Sequence, residues 1–146
     1  MHIEEWRQGV IADASEWIGT PYHHKGRKKG VGVDCGGLIY EVYRKYVIGM
    51  RPFPQDYAPD WCMHQGQEIY EEFIGPYTSQ VVHPVPAGIS LFRVGRCFGH
   101  GAIWTGEHYI HAWGRNGFSN VMKSYPAFFR GKACKHFDVR AEWLKQ

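Results

Sequence analysis

The apolar residues of this chain change their spacing near residue 80, and a fold must accommodate both spacings. Before that point they recur every three to four positions over 3–18, 35–47 and 60–74, which predicts three helices. After it, short apolar runs such as ISLFRV (89–94) lie between turn residues, which favours strands. Helices followed by an antiparallel sheet are typical of an α+β domain. We therefore expect N-terminal helices packed on a C-terminal antiparallel sheet.

The segment GAIWTGEHYIHAW (101–113) predicts a β-hairpin with Gly106–Glu107 as its two-residue turn, because a type II′ turn prefers glycine first. Side chains alternate along a strand. In the register set by this turn, His111 lies on the same sheet face as His100 and diagonal to it, roughly 7–8 Å away by backbone. A shift of one residue would reverse this assignment.

The rest of the second half predicts further strands at 118–123 and at KACKHFDVR (132–140). Between them, Ser124 is expected to cap a short helical turn at 125–130.

The stretch GVDCGGLIYEVYRKY (32–46) contains a candidate nucleophile. Its apolar residues after Gly37 have helical spacing, so Cys35 lies at or just before a helix N-terminus. Free backbone N–H groups and the helix dipole at such a position stabilise a thiolate and lower the cysteine pKa. The alternative is a small buried cysteine in a glycine turn.

A nucleophilic thiol needs a base, and the base needs an orienting group. The helix of Cys35, laid against the predicted hairpin, brings Cys35 toward His100. We therefore predict Cys35 as nucleophile, His100 as general base and acid, and His111 as the residue that orients His100. The alternative is that both histidines are ordinary half-buried sheet residues. His23 and His24 are rival bases, but nothing in the sequence orients them.

Length and charge limit the remaining function classes. The 146 residues fit one domain, 1–146, with its own core, and a net charge of +3 does not indicate a nucleic-acid partner. The basic run KGRKKG (25–30) is either a solvated loop or a site of attraction for an anionic polymer. The aromatic residues Phe53, Tyr57 and Trp61 either cover the core or form a docking patch.

The four cysteines include no CxxC pair, so neither a metal nor a cofactor is predicted, and two disulfides stay open. No run of about 18 apolar residues predicts a transmembrane segment. The first ten residues lack the pattern of a signal peptide. We expect a chain made in a bacterial cytoplasm and, if it acts outside, delivered by something else.

Five motifs in order resemble those of the NlpC-type cell-wall cysteine peptidases, which are papain-like α+β enzymes. They are GTPY (19–22), DCGGLIYEVY (34–43), PAGISLFRV (86–94), GHGAIW (99–104) and YIHA (109–112). The spelling of LFRVGRC running into GHGAI resembles small peptidases encoded in phage-tail and gene-transfer-agent clusters.

This resemblance implies hydrolysis of peptidoglycan stem peptides, typically between γ-D-glutamate and the diamino acid. It gives Cys35, His100 and His111 the same catalytic roles as the hairpin argument. It implies that Tyr22 helps to bind substrate or the oxyanion, and that Asp34 meets the free amine of a trimmed stem peptide. The alternatives are an aromatic packed after a turn for Tyr22 and a plain N-cap for Asp34.

The chain departs from the family pattern at two places. Gly36 stands at a substrate-binding position where the family usually has a serine that helps to read the substrate amine. The loop 23–33 is longer and more basic than the family version.

The expected setting is a virion tail tip, with action in the periplasm or cell wall and with other tail-tip or baseplate proteins as partners. Two other function classes stay open. One is a silent structural adaptor or plug of the tail tip, and the other is a thiol amidase or acyltransferase on the same fold.

Overall fold

The computed structural model describes residues 2–115 and 117–146, with the helices in the first half of the chain. They are α1 (Ile3–Ser15), α2 (Cys35–Tyr43), α3 (Trp61–His64) and α4 (Ile69–Ile74). The predicted first and second helices are confirmed. In α1, the residues Trp6, Val10 and Ala14 are spaced by four and are buried, so one stripe of the helix enters the core.

The predicted single helix over 60–74 is wrong, because it is divided into α3 and α4. The residues between them, 65–68, are polar or glycine and interrupt the apolar stripe. The carboxylate of Glu68 instead accepts a hydrogen bond from the Phe98 N–H at 2.8 Å, which ties this break to a strand.

The described residues form eight strands, of which the last five correspond to the predicted strands and the first two lie in the basic loop. They are β1 (Arg27–Lys28), β2 (Gly32–Val33), β3 (Thr78–Val81), β4 (Ile89–Val94), β5 (Cys97–Trp104), β6 (Tyr109–Trp113), β7 (Asn120–Ser124) and β8 (Cys134–Val139). β1 and β2 form a small antiparallel pair, so the loop 23–33 is partly ordered as a hairpin. The other six form one antiparallel sheet in the order β3-β8-β4-β5-β6-β7.

The predicted hairpin register is confirmed. Trp104 pairs with Tyr109 and Ile103 pairs with Ile110, as a turn at Gly106–Glu107 requires. The pairing of β5 with β6 stops there, so the two strands are unpaired toward the start of β5.

The sheet separates two apolar clusters. Ile103 and Ile110 belong to the main core, which they share with the helices. On the alternate face, Phe92, Tyr109 and Phe129 form a smaller cluster covered by a 3₁₀ turn, which comprises residues 126–129.

The other predictions for the irregular segments have mixed outcomes. Phe53, Tyr57 and Trp61 are buried and cover the core, so the docking patch is wrong. The capping role of Ser124 is also wrong, because Tyr125 precedes the 3₁₀ turn and no side chain caps it. Within the described residues, no helix is both long and apolar enough to cross a membrane.

Candidate active site

Cys35 is the first residue of α2, and the local sequence fixes where this helix begins. Asp34 has extended backbone and its carboxylate accepts a hydrogen bond from the Gly37 N–H at 2.9 Å, as an N-cap does. Leu38 and Val42 are fully buried one turn apart and hold the helix on the sheet. Cys35 is therefore held at a helix N-terminus, as predicted.

The Cys35 thiol lies among three hydrogen-bond donors. The backbone N–H groups of Gly36 and Gly101 and the hydroxyl of Tyr70 are the neighbours that favour its thiolate form. Tyr70 Oη is buried and has no nitrogen or oxygen partner among the described residues, so the thiol is its polar neighbour. Gly101 directly follows His100, in the part of β5 that is not paired with β6. The thiol thus reaches the sheet next to His100.

The protonation state of Cys35 differs from the prediction. Burial, with a smaller contribution from the negative charge of Asp34, raises the pKa of the thiol from its ordinary 9.0 to about 11. The three donors act in the opposite direction but are outweighed by the loss of hydration. The expected lowering of the pKa is therefore wrong, and the resting cysteine is a neutral thiol.

His100 and His111 form a hydrogen-bonded pair. His100 Nε2 lies 2.9 Å from His111 Nδ1, which confirms the predicted diagonal contact, and His111 Nε2 lies 2.9 Å from Ser124 Oγ. With a proton on each Nε2, His100 donates to His111 and His111 donates to Ser124. This tautomer leaves His100 Nδ1 as an unprotonated acceptor.

Aromatic rings enclose the two imidazoles. The ring centroid of Trp113 is 4.5 Å from that of His100, and the centroid of Phe129 is 5.0 Å from that of His111. Burial lowers the pKa of His111 to about 4. Burial, and then the neighbouring His111, hold the pKa of His100 well below its ordinary 6.5. Both imidazoles are therefore neutral at pH 7.

A cleft of about 40 Å³ is lined by both Cys35 and His100. It runs through the opening between β5 and β6, since Gly99 and His100 line one side and Trp113 and Gly114 the other. Cys35 lines it from α2. Five aromatic side chains form much of the remaining wall: Tyr22, Phe53, Tyr57, Trp61 and Tyr70. The space is sufficient for a reacting group rather than for a whole ligand.

Asp34 is buried, and its carboxylate is fully engaged. Oδ1 accepts from the Gly37 N–H and from the Arg27 guanidinium, both at 2.9 Å. Oδ2 accepts from the Lys25 N–H at 2.8 Å and from the Tyr57 hydroxyl. The N-cap interpretation is confirmed, and the binding of a substrate amine stays a prediction. Two residues of the basic loop are thus held by one carboxylate.

Two other predicted residues line the same cleft. Tyr22 is half-buried there, and burial together with Cys35 raises its pKa, so the phenol is neutral. His24 also lines the cleft, but its Nε2 donates to the Tyr57 carbonyl at 3.1 Å. His23 is exposed and its Nδ1 donates to the His24 carbonyl at 3.0 Å. Both rival bases therefore have a nitrogen directed away from the thiol.

Phe53 explains the glycine at position 36. A Cβ at Gly36 would lie 2.5 Å from the Phe53 ring, far inside van der Waals contact. The ring cannot move easily, because its centroid lies 4.9–5.2 Å from those of Tyr57, Tyr70 and Phe73. Gly36 contributes its backbone N–H to the site and no side chain.

Arg115 supplies a positive charge at the cleft. Its side chain is exposed and lines the opening. In residues 2–115 and 117–146 it has no ion-pair partner. No group of three or more His, Cys, Asp or Glu in the same part of the chain is arranged to hold a metal ion.

No family model and no curated protein sequence matches the chain. Among solved structures it is similar to the NlpC/p60 domain of the peptidoglycan hydrolase SagA, with 20% identity and a TM-score of 0.58 over 92% of this chain and 97% of that one. The chain has the NlpC/p60 fold. It is also similar to the P60 domain of an M. avium paratuberculosis antigen, with 16% identity and a TM-score of 0.52 over 94% of each chain. The predicted papain-like α+β architecture is confirmed.

Sequence reasoning missed several residues that this NlpC/p60 fold brings to the site. Trp113 could have been predicted, because the predicted hairpin register places residue 113 opposite His100. The sequence indicates a cap at Ser124 rather than a partner of His111, since nothing in it fixes the register of β7 on β6. Tyr70 and Phe53 reach the thiol by packing between distant segments, for which no spacing pattern exists.

Proposed function

We propose that the chain is a cysteine endopeptidase that hydrolyses peptidoglycan stem peptides between γ-D-glutamate and the diamino acid, carried at a phage or phage-like tail tip. One observation carries the proposal. The Cys35 thiol lines the same cleft as His100, and His111 fixes the orientation of His100. A nucleophile, a base and an orienting group are the parts that thiol catalysis requires.

Two further observations support the substrate and the setting. The fold is similar to a domain of a peptidoglycan hydrolase, which supports a cell-wall substrate. The LFRVGRC and GHGAI motifs resemble those of tail-associated peptidases, which supports delivery by a particle.

In the first half of the proposed reaction, the Cys35 sulfur attacks the peptide carbonyl carbon and its proton moves to His100 Nδ1. Because the thiol and the imidazole are both neutral at rest, this transfer accompanies the attack. The Cys35 backbone N–H and the Tyr22 hydroxyl donate to the developing oxyanion. His100 then gives its proton to the leaving amine, and a thioester remains on Cys35.

In the second half, His100 takes a proton from a water molecule as that water attacks the thioester carbonyl. The carbon–sulfur bond breaks, and the proton passes from His100 to the Cys35 sulfur. The products are a free carboxylic acid and the restored thiol. His111 and Ser124 keep the His100 ring in one orientation throughout.

Arg115 fits the charge of this substrate. The γ-linkage leaves the α-carboxylate of D-glutamate free beside the scissile bond. The exposed and unpaired guanidinium of Arg115 at the cleft is suited to bind that carboxylate.

The test is mass spectrometry of defined muropeptides incubated with the wild-type protein, with Cys35→Ala, and with Cys134→Ala as a matched control. Cys134 is exposed and does not line the cleft. We expect a new free amine at the diamino acid with the wild type and with Cys134→Ala, and none with Cys35→Ala. Release of whole stem peptides from the sugar would indicate an amidase. Untouched substrates would favour the structural adaptor.

The tail location has its own test. The chain should be detected by peptide mass spectrometry in purified particles from the producing strain. Its absence from intact particles would contradict the location and leave the peptidase activity unaffected.

A further inference from the structure

Two buried cysteines without a role in the proposed reaction lie side by side next to the cleft. Cys62 is in α3 and Cys97 begins β5, and they are 2% and 0% exposed. The Cys62 carbonyl accepts a hydrogen bond at 2.7 Å from the N–H of Arg96, the residue before Cys97. Both are free thiols. The two backbones are therefore in direct contact at this point.

The side chain of Cys62 lies against β5 at Gly99, on the face of the strand that also carries Cys97. A Cβ at Gly99 would lie 2.9 Å from Cys62 Cβ and 3.1 Å from Cys62 Sγ. Gly99 and Cys97 are two residues apart on β5 and thus face the same side of the sheet. The neighbouring Cys62 also contributes to the raised pKa of Cys97. A disulfide needs Cα atoms within about 4.4–6.8 Å, and the contacts of Cys62 with Arg96 and Gly99 place it beside both chain neighbourhoods of Cys97.

We propose that Cys62 and Cys97 form a disulfide under oxidising conditions, and that this bond fixes α3 to β5 along one wall of the cleft. The inference does not depend on the catalytic role of Cys35. It identifies a modification site in a chain whose described cysteines are otherwise all reduced.

The oxidant is hydrogen peroxide, which is small enough to enter the cleft of about 40 Å³. Cys62 lines the cleft and Cys97 does not, so the Cys62 sulfur attacks a peroxide oxygen, the oxygen–oxygen bond breaks, and a sulfenic acid and one water molecule form. The Cys97 sulfur then attacks the Cys62 sulfur and displaces its oxygen as a second water molecule. Two protein thiols are oxidised, one peroxide is reduced, and the two thiol protons end in water. Burial raises the pKa of Cys97 to about 12, so closure is slow at neutral pH and faster at higher pH.

The bond has a predictable effect on the cleft and on stability. Tyr57, Pro59 and Trp61 line the cleft and lie in or just before α3, a helix of four residues. Fixing Cys62 therefore limits the movement of this wall. A loop of about 35 residues closed by the disulfide should raise the Tm by roughly 10 °C.

The experiment treats the reduced wild-type protein with equimolar hydrogen peroxide at pH 8.5 and follows intact mass, non-reducing peptide maps and Tm. We expect a loss of about 2 Da, one linked peptide pair that contains Cys62 and Cys97, and a higher Tm that a reductant reverses. The exposed Cys134 provides the matched control, since the Cys134→Ala variant should form the same disulfide. The Cys62→Ala variant should not form it.

Three results would overturn the proposal. They are a disulfide linking Cys62 to Cys35, a sulfenic or sulfinic acid on Cys62 that never gives the disulfide, and an unchanged mass. The decisive map is made on the wild-type chain, so it does not depend on whether a variant folds. Cleavage of muropeptides by Cys35 is measured separately and stands or fails independently of this bond.

Discussion

Alkylation of Cys35 by iodoacetamide should depend steeply on pH, because the site holds a neutral thiol. With a pKa of about 11, the thiolate fraction at pH 8 is roughly 0.1%, against roughly 10% for a cysteine at its ordinary 9.0. Labelling of Cys35 should therefore be about 100-fold slower than its ordinary pKa would give. It should accelerate about tenfold per pH unit between pH 6.5 and 9.5.

The assay measures the labelled fraction of the Cys35 peptide by mass spectrometry at fixed times across this pH range. Cys134 is exposed on the same chain and serves as an internal reference for reagent and time. A His100→Ala variant separates the two possible resting states. If Cys35 and His100 are both neutral at rest, the His100→Ala variant keeps the wild-type dependence of the labelling rate on pH.

A rate that stays flat between pH 6 and 9 and becomes pH-dependent only in His100→Ala would refute the reasoning. It would mean that Cys35 and His100 rest as a thiolate–imidazolium pair. In that case the donors around the sulfur outweigh its burial.

Three other predictions concern the same site. Gly36→Ser should lower the free energy of unfolding by about 1–3 kcal/mol in a denaturant titration, because its side chain meets the packed Phe53 ring, and an unchanged midpoint would contradict this. His111 binds a proton below pH 6.5 when unfolded but only near pH 4 when folded, so stability should fall by up to about 3 kcal/mol as pH drops from 7 to 4. In a His111→Gln variant, the free energy of unfolding should lose this part of its dependence on pH. Arg115→Ala should raise KM about tenfold with kcat within twofold, and a fall in kcat at constant KM would exclude a binding role.

The hairpin and its histidine pair could be predicted because the information is local. A two-residue turn with glycine first sets the register, and the alternation of side chains then sets the face of every residue. The diagonal contact between His100 and His111 follows from these two rules alone. The burial of Trp6 and Val10 in α1 follows in the same way from helical spacing.

What the sequence did not reveal depends on contacts between distant segments. The break between α3 and α4 is held by Glu68, whose carboxylate binds the N–H of Phe98 on β5. The bond from His111 to Ser124 requires the register of β6 on β7, and a connection of several residues joins those strands without a two-residue turn. Neither the contact of Glu68 with Phe98 nor that of His111 with Ser124 can be inferred from the residues next to them in the chain.

The glycine at position 36 and the raised pKa of the Cys35 thiol have one cause. Phe53 fills the space over Gly36, packs on Tyr70 and lines the cleft beside Cys35, so the ring that excludes a serine side chain also limits the hydration of the sulfur. Loss of hydration is the largest contribution to the pKa of Cys35. A Phe53→Ala variant should therefore hydrate the thiol and move its alkylation profile from about 11 toward 9.0. If the profile stays at the higher pH, the packing around Gly36 and the chemistry of Cys35 are separate features.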